Sequence, residues 1–161
     1  MKKIVIIVML LIPFFGISQS RSEIKSNKIK SRTTEKIEQK DGLPITYKES
    51  YEEYDKNGRT IMKIEYSKSG EIKKKQTLKY DSFGNEIERT EYEKKSGVTL
   101  KTVSKYDAQG EKTEEVVSDA NGNVMQKQVF TIDSKGLKQE TKETNDKGEL
   151  RWIKRYTYDT Y

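Results

Sequence analysis

Tyr-Asp pairs stand at Tyr54-Asp55, Tyr80-Asp81, Tyr106-Asp107 and Tyr158-Asp159, with Ile132-Asp133 at the remaining step, so the pattern returns every 26 residues. A chain with such a period is committed to stacking copies of one small unit, each leaning on the next. Glycines keep the same beat at Gly58, Gly84, Gly110 and Gly136, and a second series runs Gly70, Gly122 and Gly148. In that second series Ser96 holds the expected place and Gly97 comes one residue late. Ile72, Val98, Val124 and Leu150 form a third column, apolar in every copy. Four repeats therefore run from Tyr54 to about Thr157, in the segment 54–161.

Each repeat carries two turn signals, such as Asp55-Lys56-Asn57-Gly58 and Ser67-Lys68-Ser69-Gly70, separated by short segments. Eight to ten residues suit a strand and are short for a helix. An Asp or Ser opening a four-residue turn bonds its own backbone, and Gly in fourth place takes the left-handed conformation that a type I turn with a bulge needs. Alternation agrees: from Ile72 to Tyr80 one face carries Ile72, Leu78 and Tyr80 and the other Lys73, Lys75 and Lys79. Upstream, Asp41-Gly42 predicts a further turn inside a hairpin over 29–53. The fold class is then all-β: an antiparallel up-and-down meander of about ten strands in one extended twisted sheet. Gly97 is expected to tolerate alanine better than Gly110, because it stands outside the regular register.

Composition alone would argue otherwise. Of the 143 residues after position 18, only 23 are Leu, Ile, Val or Phe, a share that goes with intrinsic disorder. One repeat cannot bury enough apolar surface to offset the entropy of ordering itself, so stability has to come from pairing with neighbours. The fourth copy has Gln139, Glu140 and Lys142 where the first has Ile61, Met62 and Ile64, and Trp152, Ile153, Tyr156 and Tyr158 are expected to cap that end.

Residues 1–18 read as an export signal: Lys2 and Lys3, an apolar run from Ile4 to Ile12, then Gly16 and Ser18 before a cleavage point near Gln19 or Ser20. The expected location is periplasmic or extracellular, without stable membrane insertion after cleavage. The stretch 19–28 reads as a flexible leader, being rich in Ser, Asn and Lys. Of 32 basic residues Lys2 and Lys3 leave with the signal, so 30 face 26 acidic ones and the net charge is +4. Lys and Glu alternate too finely to build the one-signed field that nucleic acid requires.

The chain has no His and no Cys, which removes the usual general base, the thiol nucleophile and the commonest transition-metal ligands. Glu88, Glu114 and Glu140 recur at the repeat spacing, as on a solvated sheet face rather than in a catalytic cleft with two unequal carboxylates. Asp119-Ala120-Asn121-Gly122-Asn123 lacks the third acidic ligand and the distal Glu of a calcium loop. Neither a cofactor nor a metal is expected, and the chain reads as non-enzymatic. The candidate ligand contacts are aromatic: Tyr54, Tyr80 and Tyr106, with Tyr66 and Tyr92 in the companion strand, and Trp152. Such rings can pack against the neighbouring hairpin, or form stacking platforms roughly 9–10 Å apart for a sugar chain or another polymer. Each Tyr directly precedes its turn, which favours packing.

The runs Tyr80-Asp81-Ser82-Phe83-Gly84-Asn85 and Tyr106-Asp107-Ala108-Gln109-Gly110 resemble the YD repeats of RHS-type bacterial proteins. The resemblance covers about two thirds of the chain. It implies a β-hairpin repeat architecture and an exported or surface context. Large members wrap into shells around a toxin, but four copies are too few to close one, and the repeat here is longer than usual. The function expected is a binding or scaffold module at the cell envelope, for polysaccharide or an envelope protein. The alternative is a structural fragment related to larger YD-repeat toxin-delivery proteins.

Overall fold

The computed structural model describes residues 20–159; the expected signal at 1–18 lies outside them. A short helix, α1 (Arg21–Ser26), precedes ten strands: β1 (Ser31–Lys40), β2 (Leu43–Tyr54), β3 (Thr60–Tyr66), β4 (Ile72–Tyr80), β5 (Glu86–Glu93), β6 (Val98–Tyr106), β7 (Lys112–Ser118), β8 (Val124–Ile132), β9 (Lys138–Asn145) and β10 (Leu150–Arg155). All ten form one antiparallel sheet in sequence order, and β1 does not meet β10. The meander is therefore open. The hairpin β1–β2 continues into the repeats through β2 and β3, so it is the first part of the same sheet rather than a separate unit.

The turns follow from their first and last residues. At Tyr54-Asp55, Gly58 N–H donates to the Asp55 carbonyl at 2.9 Å and Asp55 N–H to the Arg59 carbonyl at 2.9 Å. The Asp55 carboxylate also accepts from the Asn57 and Arg59 amides at 2.8 and 2.9 Å. Asp81, Asp107, Asp119, Asp133 and Asn145 repeat the pattern, each taking two backbone N–H bonds inside its own turn. The strand register slips by one beside every Tyr-Asp turn, between Glu53 and Tyr54, Lys79 and Tyr80, Lys105 and Tyr106, and Thr131 and Ile132. That is the bulge that lets a four-residue turn join twisted strands. Asp41 and Gly42 both have positive φ, 53° and 80°, which makes the first hairpin a two-residue type I′ connection.

The late Gly97 is absorbed in its loop. Glu93 pairs with Val98 without a register slip, and Gly97 N–H reaches back to the Glu93 carbonyl at 3.0 Å. The following column therefore stays in step. Gly97 also takes positive φ, so the extra residue does not free it from a backbone demand. Its φ of 66° nevertheless falls inside the left-handed helical well, whereas the 86° of Gly110 lies beyond it. That difference replaces register as the reason to expect the milder alanine substitution at Gly97.

There is almost no core. Among the described residues only Ile24, Tyr54, Gly58, Ser104, Thr141 and Glu143 are buried. The apolar column Ile72, Val98, Val124 and Leu150 opens the even strands and remains exposed, because no second layer among the described residues covers it. Trp152, Ile153, Tyr156 and Tyr158 stay partly or largely open as well, so the expected apolar cap at that end is not formed.

The cap is at the other end, where a flexible leader was expected. Ser20 accepts from the Glu23 amide while the Glu23 carboxylate accepts from the Ser20 amide, a complete capping box. Ile24 is buried, and the Ile29 amide closes back on its carbonyl at 3.0 Å. Arg21 Nε donates to the Asn57 carbonyl at 3.2 Å. A Cβ placed on Gly58 would stand 2.5 Å from the Arg21 carbonyl oxygen and 3.1 Å from the Lys25 amide nitrogen. The helix thus rests directly on the backbone of the first Tyr-Asp turn. In later repeats the same surface of the glycine meets the residue after the preceding turn's glycine: Arg59 beside Gly84, Asn85 beside Gly110 and Glu111 beside Gly136.

Gly58→Ala should therefore be the costliest alanine substitution among the turn glycines. Gly84→Ala meets only the flexible end of Arg59 at 3.5 Å, so urea unfolding should separate the two by about 1 kcal/mol or more.

Candidate functional site

Cross-strand partners share a face, so the register assigns each candidate aromatic. Tyr51 pairs with Ile64, Ile64 with Lys75, and Lys75 with Tyr92. Tyr66, two residues beyond Ile64, joins that face; Lys48 Nζ lies 4.8 Å from the Tyr51 ring centre and 4.6 Å from that of Tyr66. Tyr54, Tyr80 and Tyr106 lie an odd number of residues from members of this set in their own strands and occupy the opposite face. Trp152 pairs with Glu143, which follows through Gln128 and Glu115 to Ser104, on the Tyr106 side. The six predicted residues are thus divided between two faces. Tyr54, Tyr80 and Tyr106 abut the Tyr-Asp turns, while Tyr66, Tyr92 and Trp152 abut the other row of turns.

The first row is occupied with structural bonds. Tyr80 donates its hydroxyl to the Thr60 carbonyl at 3.0 Å, Tyr106 to Glu86 at 2.9 Å and Tyr158 to Lys138 at 2.7 Å. Each acceptor opens a strand just after the previous Tyr-Asp turn, facing the bulge. The tyrosine of one repeat thereby satisfies backbone that the bulge of the repeat before leaves out of the ladder. Arg59 strengthens the link between the first two turns: it pairs with Asp55 at 2.6 Å, covers the Tyr80 ring at 4.7 Å and donates to the Asp81 carbonyl at 3.3 Å. Tyr54 is buried and bonds Glu52. Burial first, then the Glu52 carboxylate, pushes its hydroxyl up to about 12.

The carboxylate column on the other face is equally engaged. Glu88 lies between Lys79 at 2.8 Å and Lys101 at 2.9 Å, from the strands on either side; Glu114 lies between Lys105 and Lys127, both at 2.8 Å. The flanking lysines hold both carboxyls below their ordinary range. At the third step Thr131 and Ile153 occupy the lysine positions, and Glu140 is held instead by Lys142 and Arg155, both at 3.0 Å. Each of these acids is held by two cations, Glu88 and Glu114 from the strands on either side and Glu140 from its own strand and β10, so the column does not set up the two unequal environments that acid and base roles require. The calcium-like Asp119 spends its oxygens on the Asn121 and Asn123 amides and the Asn123 side chain. No cluster of three or more ligating side chains occurs among the described residues, and none of their helices is long and apolar enough to cross a membrane.

Two surface features escaped the sequence reading. Phe83 is 91% exposed at a turn tip, in a place where the other repeats carry Asn57, Gln109 and Lys135. It borders an open groove of about 620 Å³ that reaches Ile87, Tyr106 and Gln109. Its departure from a polar column was the available signal. A polar groove near the first hairpin is lined by Lys36, Glu38, Tyr47, Glu65 and Lys68; Glu38 accepts from Lys68, Tyr47 and Lys36, which hold its carboxyl down at about 2.

No protein-family model matches the sequence, and no curated protein matches it. Among solved structures, a porin-like protein from Bacteroides uniformis aligns over 77% of this chain and 49% of its own, at 16% identity and a TM-score of 0.35. The chain thus spans about half the length of that protein. A protein of unknown function from Bacteroides fragilis aligns over 81% of this chain and 96% of its own, at 14% identity and a TM-score of 0.23.

Two measurements probe these bonds. Ile132 breaks the tyrosine row opposite the Lys112 carbonyl, so Ile132→Tyr should add a hydroxyl bond there and stabilise by about 0.5–1.5 kcal/mol, while Tyr106→Phe should lose a similar amount. Denaturant midpoints check both. For pH the sign follows from depressed carboxyls: Glu38, Glu88, Glu114, Asp81 and Asp133 have lower pKa values folded than unfolded. Their contribution is present above the ordinary carboxylate range and is lost as pH falls through the folded values. The urea midpoint should decline from about pH 5 toward pH 2, and added salt should lessen the part due to the lysine clamps.

Proposed function

We propose that the mature protein is a non-enzymatic, exported β-repeat module that binds or scaffolds at the cell envelope, kin to YD-repeat proteins. The observation that carries this reading is the open single-layer sheet. Among the described residues no second layer packs on it, so both faces stand open, and the carboxylates of the repeat column are tied to neighbouring cations. Such an architecture offers long, regular surfaces and edges for contact and little enclosure for a reaction. The hydroxyls of Tyr80 and Tyr106 are bonded to backbone and that of Tyr54 to the Glu52 carboxylate, so this row belongs to the framework, which favours a polypeptide over a sugar chain as the main target.

Expressing the full chain with a C-terminal tag in a bacterium, fractionating the cells and weighing the product tests export: the product should be exported with its N-terminus near Gln19 or Ser20. Intact chain retained in the cytosol would refute export. Titration with soluble envelope polysaccharides and co-sedimentation with peptidoglycan then separate the targets. Saturable sugar binding abolished by Tyr66→Ala or Trp152→Ala would move the reading to carbohydrate, and release of sugar fragments would overturn the non-enzymatic reading.

A further inference from the structure

From β4 onward the carboxylates are confined to alternate strands. The even strands carry only cations: Lys73, Lys74, Lys75 and Lys79 in β4, Lys101 and Lys105 in β6, Lys127 in β8, and Arg151, Lys154 and Arg155 in β10. The carboxylates sit in the odd strands: Glu86, Glu88, Glu91 and Glu93 in β5, Glu114 and Glu115 in β7, Glu140 and Glu143 in β9. Those strands also hold Arg89, Lys112, Lys138 and Lys142, of which Arg89, Lys112 and Lys142 pair with a carboxylate of their own strand. The cross-strand ion pairs in this part of the sheet follow that rule. Lys74 and Lys79 reach β5, Lys101 reaches β5 and Lys105 reaches β7, Lys127 reaches β7, and Arg151 and Arg155 reach β9. Each inner even strand therefore has a carboxylate-bearing strand on both sides.

β10 has one on a single side. Among the described residues its far edge meets no other strand, so its outward backbone N–H and C=O groups are left outside the ladder. Arg151 and Arg155 are more than half exposed although paired. Lys154 lies over the Trp152 ring at 4.7 Å and has no carboxylate within ion-pair distance among the described residues. An edge of this kind, carrying three cations and no acid, repels a second β10 and any lysine-rich strand. It attracts a strand in which carboxylates predominate, as they do in β5.

We propose that the outer edge of β10 captures an acidic, extended polypeptide segment as an eleventh strand, with main-chain pairing supplying affinity and the cations selecting the segment. The proposal rests on the binding-module reading. The bland alternative is that the same cations only guard the edge against aggregation, and the two differ in what an acidic strand does.

A labelled peptide of residues 86–93, Glu-Ile-Glu-Arg-Thr-Glu-Tyr-Glu, is titrated into the purified protein by fluorescence anisotropy. Parallel arms use the same peptide with alternate backbone amides N-methylated and the basic peptide of residues 72–80. Saturable binding of the first peptide alone is expected, weakened about tenfold by Lys154→Glu, a change that leaves the internal ion pairs in place. Hydrogen exchange should slow at alternate amides of β10 when that peptide is bound. No binding of the acidic peptide would leave the edge as a guard and overturn the proposal. Equal binding of the N-methylated form would reduce the effect to surface attraction and overturn it too, as would equal binding of the basic peptide. These outcomes concern β10 alone, so they leave the export and polysaccharide results standing.

Discussion

Backbone pairing between sequence neighbours carries this fold. A globular domain ordinarily closes around side chains taken out of water, yet here the buried set among the described residues is Ile24, Tyr54, Gly58 and three polar residues. What remains is a ladder of main-chain bonds from β1 to β10, and the turns must set its register without help from a core. That is why the turn chemistry is so uniform. Asp or Asn opens most turns and binds two amides within them, glycine closes them at positive φ, and the tyrosine of the next repeat covers the carbonyl that the bulge exposes.

Side chains then add short-range links on both faces. Lys–Glu–Lys clamps couple three strands at a time, and the Arg59 bridge couples two turns. Each exposed ion pair contributes little by itself. Their value lies in repetition and in choosing register, since a one-residue slip would take Lys79 and Lys105 off their glutamates and turn every side chain to the wrong face. A sheet made this way can be almost entirely polar and still be specific. The composition that argues for disorder is the composition such a surface needs.

The strands, their order and the glycine turns were legible because they rest on local rules: period two, Asp at the first turn place, glycine where φ is positive. The helix was missed because the leader was judged by how little it could bury, although Ser20 and Glu23 stand at capping-box spacing. The division of the tyrosines between faces was hidden for a different reason. Tyr80 and Tyr92 are an even number of residues apart, which in a plain hairpin puts them on one face. The bulge beside Tyr80 adds one residue to one strand and reverses that parity. The hydroxyl bonds were out of reach as well, because the twenty-residue offset between donor and acceptor arises from register across strands and leaves no mark on the sequence.

Among the described residues the strands pair in sequence order, each with its neighbours in the chain, and this gives the molecule an unusual place among β proteins. Sandwiches and barrels must bring distant segments together before any pairing repays the lost loop entropy, and they fold slowly for that reason. Here each hairpin closes over a few residues, so contact order is low although the structure is nearly all strand. Assembly can proceed as a zipper from any turn, with α1 giving one end a firm start once the first Tyr-Asp turn has formed. Every partly zipped state also ends in a bare strand edge, so through folding as well as in the finished sheet the lysines and glutamates at the growing margin decide what that edge can join.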